Sequence, residues 1–564
     1  MLEQAVRTIG YGAPAAGLIL GKKERPDLSS SRSRRAAIFA VLALGVTVVP
    51  ITAAAKGPVP QVACDNRDNN TYAKLLDCVR LSEVREHQAA FQAIADENDD
   101  TRADHTQGYL DSVEYVVDTM EAAGWEVDVV DFDYDYADVL LRQISPVAAT
   151  FPANPAVGTG EGDVTGNVIP VDINLTGDRA NSSGCNGPAV GGPDNDFANL
   201  DFSGPNDIAL VQRGTCAFAD KARNAEAAGA EAVVIFNQGD PAGPGDRFAP
   251  VNPTLAPFTV GIPTVGTSFA GGESLAQTGS TAQVRVDFTV RTSSNVFAEL
   301  AGVNADNVVM AGAHLDSVPA GPGINDNGSG SAVLLEVAEQ LANHKPQNTL
   351  RFAWWGAEEL GLLGSTAWVN SLSDDELAEI ALYLNFDMVG SPNHVFMVYD
   401  ANQSSFLAPV PVPDGSAAIE TVFESFYTYA GVPYDDTQFS GRSDYQAFIL
   451  NGIPSSGLFT GAEVIKTAEQ AAIWGGTAGA QFDPCYHLAC DTFANNNDHA
   501  LDVNADAVAW AVLTYAYSTE AVNGVPGIPA PANFQMPEPA GPEHTFAGPL
   551  GGDDEHDHHH HHAS

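Results

Sequence analysis

The stretch Val308-Val309-Met310-Ala311-Gly312-Ala313-His314-Leu315-Asp316 decides the reading of this chain. Six apolar or small residues run without a turn signal into an imidazole and a carboxylate, as an apolar strand ending in chemistry would. Two further runs repeat the pattern. Leu350–Trp355 leads through Gly356-Ala357 into Glu358-Glu359, and Ile380–Phe386 ends at Asp387. Between the first two lies Gly323-Ile324-Asn325-Asp326-Asn327-Gly328-Ser329-Gly330, followed by a helical run from Ser331 to Leu341 that sets Asp326 just ahead of a helix N-terminus. Strands alternating with helices predict an α/β sheet. In such sheets, ligands bind in the crevice outside the carboxyl ends of the strands.

Several carboxylates gathered at one strand edge repel one another unless they are protonated or bound to cations. His314 and His487, both in motif-like surroundings, supply imidazoles, and no thiolate stands near. Imidazole with carboxylate suits zinc, with cobalt or manganese as substitutes. One zinc takes about four ligands, so five ligands and a water suit two ions sharing a bridge. The charge of two zinc ions is balanced by three ligand carboxylates and a hydroxide.

Working outward, Leu81–Ala123 carries helical periodicity closed by Gly124, and Trp125–Phe132 alternates like a strand. From about Pro146 to Asp287 the chain turns rich in Gly, Pro, Asn and Asp. Short β-like runs (Asn167–Ile173, Ile208–Gln212, Ala232–Phe236, Ala282–Val290) and a helix over Phe218–Gly229 predict a mostly-β module there. The expected divisions are a leader over 1–55, a first peptide-chain segment of the main domain over 56–145, the inserted module over 146–290, the main domain over 291–522 and a disordered acidic, His-rich tail over 523–564. The terminal His558–His562 are set aside as tail.

Acidic residues number 72 against 25 basic, a formal net charge of −47. That balance repels phosphate backbones and anionic headgroups, which excludes nucleic-acid binding and peripheral membrane attachment. Arg32, Arg34 and Arg35 precede an apolar run, Ala36–Ile51, and then Ala53-Ala54-Ala55. This is the order of an export signal, with cleavage expected near Ala55 and no membrane attachment afterwards. Six cysteines fall as three local pairs, Cys64/Cys78, Cys185/Cys216 and Cys485/Cys490. Sequential pairing in a secreted, oxidised protein is the expectation.

The motifs His314-Leu315-Asp316-Ser317, Gly323–Gly330, Trp354-Trp355-Gly356-Ala357-Glu358-Glu359-Leu360-Gly361, Asn385-Phe386-Asp387-Met388, Gly441-Arg442-Ser443-Asp444, Gly457–Gly461 and Cys485-Tyr486-His487 resemble those of secreted bacterial members of the aminopeptidase Y family. The resemblance implies a zinc exopeptidase fold, with a mixed, twisted β-sheet flanked by helices, and two co-catalytic zinc ions. It implies that His314, Asp326 and Asp387 hold one zinc and that Asp326 bridges to a second, completed by Glu359 and His487. Asp316 would accept the other ring N–H of His314, Glu358 would be the general base, and Tyr486 would steady the oxyanion. Arg442 and Phe459 would face the substrate. Asp502 and Asp506 resemble a structural calcium site of some members.

Ile208–Cys216 and Asn224–Ala230 resemble the protease-associated (PA) domain, with Cys185 bonded to Cys216. The expected activity is removal of an N-terminal residue, large and hydrophobic like Leu, from peptides by a monomer. Two other readings stand beside it: carboxypeptidase or glutaminyl cyclase chemistry on the same fold, with Arg442 receiving a substrate carboxylate, and a PA-bearing binding protein with a dead site.

Overall fold

The computed structural model describes residues 60–543, apart from 177–178, 180–181, 193–194, 241–246, 256–257 and 532–533. The export leader, its cleavage point and the terminal histidines lie outside the described residues. Among those described, fourteen strands join in one sheet: β1 (Glu126–Ser145), β2 (Ala149–Phe151), β3 (Ala153–Pro155), β4 (Gly162–Pro170), β5 (Ile208–Gln212), β6 (Ala232–Phe236), β7 (Thr264–Thr267), β8 (Thr281–Leu300), β9 (Asn304–His314), β10 (Asn348–Trp355), β11 (Ile380–Phe386), β12 (Met397–Tyr399), β13 (Asp435–Thr437) and β14 (Ser455–Phe459). The order is β13-β12-β14-β11-β9-β10-β8-β4-β5-β6-β7-β3, with β1 paired to β8 and β2 to β1.

β10, β9, β11 and β14 run parallel. Their interiors are buried on both faces, which is why they read as unbroken apolar runs. The chain leaves β9 for β10 on one side and later enters β11 on the other. This reversal opens a crevice at the carboxyl ends. Register brings the ends level, since Trp355 pairs with His314 and Asn385 with Gly312. The helix Gly328–Leu341 is buried along almost its whole length, packed against helices Leu81–Glu97 and Asp498–Tyr517.

The inserted module is not hung on a linker. β1 and β8, each 20 residues long, pair antiparallel from Glu126↔Glu299 to Ser145↔Thr281. The start of β8 also pairs with β4 of the module, and its end with β10 of the main domain. The division expected at 290/291 therefore falls inside β8. Periodicity could not reveal this, because a strand that passes from one core to another keeps its alternation. β5 and β6 occupy the expected residues, whereas β4 begins five residues earlier than expected.

The helical periodicity over Leu81–Ala123 is carried by two helices, Leu81–Glu97 and Gln107–Ala123. Between them Asp99 (φ 56°) and Asp100 (φ 60°) adopt the left-handed conformation, which Asp tolerates better than most side chains. Thr106 then caps the second helix by accepting the N–H of Tyr109.

Against the expectation of disorder from 523 onward, described residues of the segment before 544 pack on the body. The Phe534 ring lies 4.8 Å from Tyr72 and 5.1 Å from Trp510. Gly541 donates its N–H to the Tyr434 hydroxyl, and Glu543 to the Tyr434 carbonyl. Pro- and Gly-rich composition concealed this one aromatic anchor. Residues 544–564 lie outside those described. All three expected disulfides form, Cys64–Cys78, Cys185–Cys216 and Cys485–Cys490. No described helix is long and apolar enough to cross a membrane.

Candidate metal centre

The carboxyl ends of β9, β10 and β11 deliver His314, Glu358-Glu359 and Asp387 to one cleft, and the loops before helix Gly328–Leu341 and after Cys485 add Asp326 and His487. Asp326 stands at the middle. Its Oδ1 lies 3.2 Å from His314 Nε2 and its Oδ2 3.2 Å from His487 Nε2. Asp387 Oδ1 approaches His314 Nε2 at 3.4 Å, and Glu359 Oε2 approaches His487 Nε2 at 3.0 Å. Glu358 Oε2 is set slightly back, at 3.9 Å from His314. The five candidate ligands thus fall into two sets that share Asp326.

Buried anchors hold these groups in place. Both oxygens of Asp491 accept backbone N–H groups, from Asn325 and Asp326, each at 2.9 Å. Arg102, fully buried, donates to the carbonyls of Leu315, Pro322 and Gly323 and so fastens the loop between His314 and Asp326. Ser443 donates to Asp387 Oδ2 at 2.6 Å. Asp316 differs from its expected use. His314 Nδ1 is 3.1 Å from the Asp316 backbone carbonyl and 3.7 Å from its carboxylate. The carboxylate instead accepts the backbone N–H groups of Glu358 and Glu359, at 3.0 and 3.2 Å. One residue thereby fixes both the histidine ring and the pair of glutamates, a supporting role of the kind that orients metal ligands.

His487 sits in the short Cys485–Cys490 loop, in left-handed backbone geometry (φ 57°). The Tyr486 ring stacks on it, with centroids 3.8 Å apart. Arg442 donates to the Tyr486 hydroxyl oxygen at 3.1 Å and to Glu463 Oε1 at 3.0 Å. Phe459, Met388 and Tyr399 contribute apolar surface to the same cleft. Asp502 and Asp506 stand on helix Asp498–Tyr517 and do not line it. Burial, with Asp502 and Asp77, pushes the Asp506 carboxyl up to about 8.

The electrostatics are those of a cation site. Burial lowers the His314 pKa, yet Glu358, Asp387 and Asp326 together raise it well above the ordinary value; Glu359 and Asp326 do the same to buried His487. Burial lifts Glu358 well above the usual carboxylate range, against the pull of His314 and with Asp387, Asp444 and Glu359 adding to the rise. Asp444, buried beside them, is pushed up to about 7. Asp326 Oδ2, Glu359 Oε1 and Asp387 Oδ1 are buried without a hydrogen-bond donor. Oxygens so placed carry a large desolvation penalty unless a cation meets them. Two imidazoles and three carboxylates, with no thiolate, make a donor set that fits zinc.

Sequence reasoning missed Arg102, Asp491, Ser443 and Asp444. Arg102 and Asp491 act on backbone groups of residues far along the chain, so no local spacing betrays them. Ser443 and Asp444 lay within a quoted motif without an assigned role.

A cleft of paired metal-ligating sets at a switch point of an α/β sheet, with a β module spliced into the sheet, defines a metallopeptidase with an inserted domain. The chain belongs to peptidase family M28, whose family model matches residues 295–512, and the PA domain model matches residues 164–275. It is 43% identical over 458 residues to an aminopeptidase of Pseudomonas aeruginosa, covering 79% of this chain and 83% of that one. It is 37% identical to a probable leucine aminopeptidase 2 of Trichophyton verrucosum, covering 85% and 92%. Among solved structures it resembles a zinc aminopeptidase from Bacillus subtilis, at a TM-score of 0.58 and 26% identity, covering 79% of this chain and 98% of that one.

Proposed function

We propose that this protein is a secreted zinc aminopeptidase that removes a large hydrophobic N-terminal residue from peptides, with two zinc ions shared by Asp326 and with Glu358 as general base. The observation that carries this reading is the division of Asp326, one oxygen toward each histidine at 3.2 Å. His314, Asp326 and Asp387 would hold one ion, and Asp326, Glu359 and His487 the other. Zinc held by these residues would supply Lewis acidity toward a carbonyl oxygen and toward water near neutral pH.

The chain's own groups do the rest. Glu358 touches neither histidine closely, is buried, and has a raised proton affinity, so it is suited to take a proton from the attacking water and return it to the leaving amine. Arg442 donates to the Tyr486 oxygen, which leaves the Tyr486 O–H proton available to the oxyanion that develops at the attacked carbonyl. Two zinc ions would be met in charge by Asp326, Asp387, Glu359 and ionised Glu358, and moving a proton from water to Glu358 leaves that balance unchanged. The preference for a free N-terminus therefore rests on the aminopeptidase relatives. Phe459, Met388 and Tyr399 offer the side chain of a Leu-like residue an apolar wall.

Aminopeptidase relatives in bacteria and fungi support this reading over a binding protein. Arg442 speaks against the carboxypeptidase alternative, because its charge is already met by Glu463 at 3.0 Å. The three disulfides and the leader motif support secretion, since disulfides persist in oxidising compartments.

Hydrolysis of leucyl-anilide against its N-acetylated form tests the proposal. Turnover of the free amine alone, abolished by a chelator and restored by zinc, is expected. Equal cleavage of the blocked substrate, or activity indifferent to chelation, overturns it.

A further inference from the structure

A second buried acidic cluster lies behind the cleft wall. Helix Ser416–Ala430 carries Glu420 and Glu424 one turn apart, and β13 carries Asp436; each offers an oxygen within 4.8 Å of the other two. All three are buried, Asp436 to 1% exposure. Asp400, just past β12, adds a fourth negative group. Among the described residues no Lys, Arg or His forms a salt bridge with any of the four.

The hydrogen bonds of the cluster hold the carboxylates still without neutralising them. Asn402 donates its backbone and side-chain N–H groups to Glu420, both at 2.8 Å. Ser404, Ser405 and Phe406 donate backbone N–H groups to Asp400. The Ser404 and Ser405 hydroxyls donate to Asp436 Oδ2, which leaves Asp436 Oδ1 buried with no donor at all. Burial, reinforced by the neighbouring acids, pushes Glu420 up to about 9 and Glu424 up to about 7. Without a counter-charge the cluster is strained electrostatically.

We propose that Glu420, Glu424 and Asp436 bind one hard divalent cation of the Ca2+ class, at a site separate from the zinc centre. The donors are all oxygen, with neither imidazole nor thiolate, which selects calcium-like ions over zinc. A cation there ties helix Ser416–Ala430 to β13. Asp436 precedes Thr437 and Gln438, and Asp400 follows Tyr399. Tyr399, Thr437 and Gln438 all line the catalytic cleft, and Asp400 donates its N–H to the Thr437 carbonyl. The cation thus fixes the wall against which the substrate rests.

The test is equilibrium dialysis of the zinc-loaded enzyme against Ca2+ in physiological salt, comparing wild type with the Glu420→Gln, Glu424→Gln double variant. Gln keeps the shape and removes two charges. The wild type is expected to bind one more equivalent of Ca2+ than the variant, and its Tm to rise with Ca2+ by more than the variant's. The Ca2+-free variant is expected to melt above Ca2+-free wild type, because the repulsion is relieved. Equal Ca2+ stoichiometry and equal Tm response overturn the proposal. So does loss of the extra equivalent in an Asp502→Asn, Asp506→Asn variant, which would place the ion on that helix instead. Should the double variant fail to fold, wild-type crystals soaked in Mn2+ decide the matter: anomalous density among the three carboxylates is required, and its absence there refutes the site.

Discussion

The Arg442 guanidinium donates to the hydroxyl oxygen of Tyr486 at 3.1 Å, so the tyrosine enters the cleft with its oxygen already satisfied as an acceptor and its proton unspent. Tyr486→Phe should lower kcat by about 10²-fold, the usual consequence of losing one oxyanion donor, while zinc content stays at the wild-type level. Glu463→Gln removes the charge that balances Arg442 and should give a smaller loss of the same kind. Steady-state kinetics with metal analysis on both variants checks this; an unchanged kcat for Tyr486→Phe would remove the tyrosine from the mechanism.

Glu358 is held by the bond from its backbone N–H to Asp316, so its side chain can be altered without moving the loop. Glu358→Gln should therefore bind as much zinc as wild type while kcat falls at least about 10²-fold, the lower end of what a general base contributes. Loss of zinc in step with activity would make it a ligand rather than a base.

Away from the cleft, Glu336 accepts the Arg80 backbone N–H at 3.1 Å, and burial with Glu339 pushes its pKa up to about 9. A carboxyl raised in the folded state binds a proton there that the unfolded chain has released, so its contribution to stability is full below about pH 4.5 and falls as pH rises toward about 9. Glu336→Gln keeps the acceptor and abolishes the titration. Its Tm should exceed wild type at pH 8 and match it near pH 4.5; thermal melts across that range would show a parallel, pH-independent offset if the reading is wrong.

Phe534 closes the aromatic group of Tyr72 and Trp510 from the C-terminal side. Phe534→Ala should destabilise the protein by about 1–3 kcal/mol, the range for losing a partly buried aromatic contact, with kcat unaltered because the group lies apart from the metal centre. Denaturant unfolding monitored by tryptophan fluorescence measures the change. A midpoint identical to wild type would mean that the segment after Asn523 adds nothing.

The ends of β9, β10 and β11 were legible in the sequence because unbroken apolar runs can be strands only if buried, and ionisable residues at their termini then have one place to go. His487 was legible only through its motif, since it arrives from a loop about 100 residues past Asp387. The supporting layer was not legible. Arg102 holds three carbonyl groups more than 200 residues away, and a carbonyl has no side-chain signature. The pause at Asp99 and Asp100 was visible as an Asn-Asp-Asp run, but the helical periodicity on either side of it masked the break. The tail failed for the opposite reason, composition outweighing a single aromatic residue.

Because β8 gives its first residues to β4 and its last to β10, the inserted domain shares a spar with the strand that delivers Glu358 and Glu359. Between those two pairings β8 is held by β1 alone, so a two-stranded ribbon carries the backbone hydrogen bonding from the insertion to the catalytic sheet. An excision that spared Asn295–Leu300 and its β1 partners would leave the bonds to β10 intact, which makes the ribbon the natural place to part the two bodies.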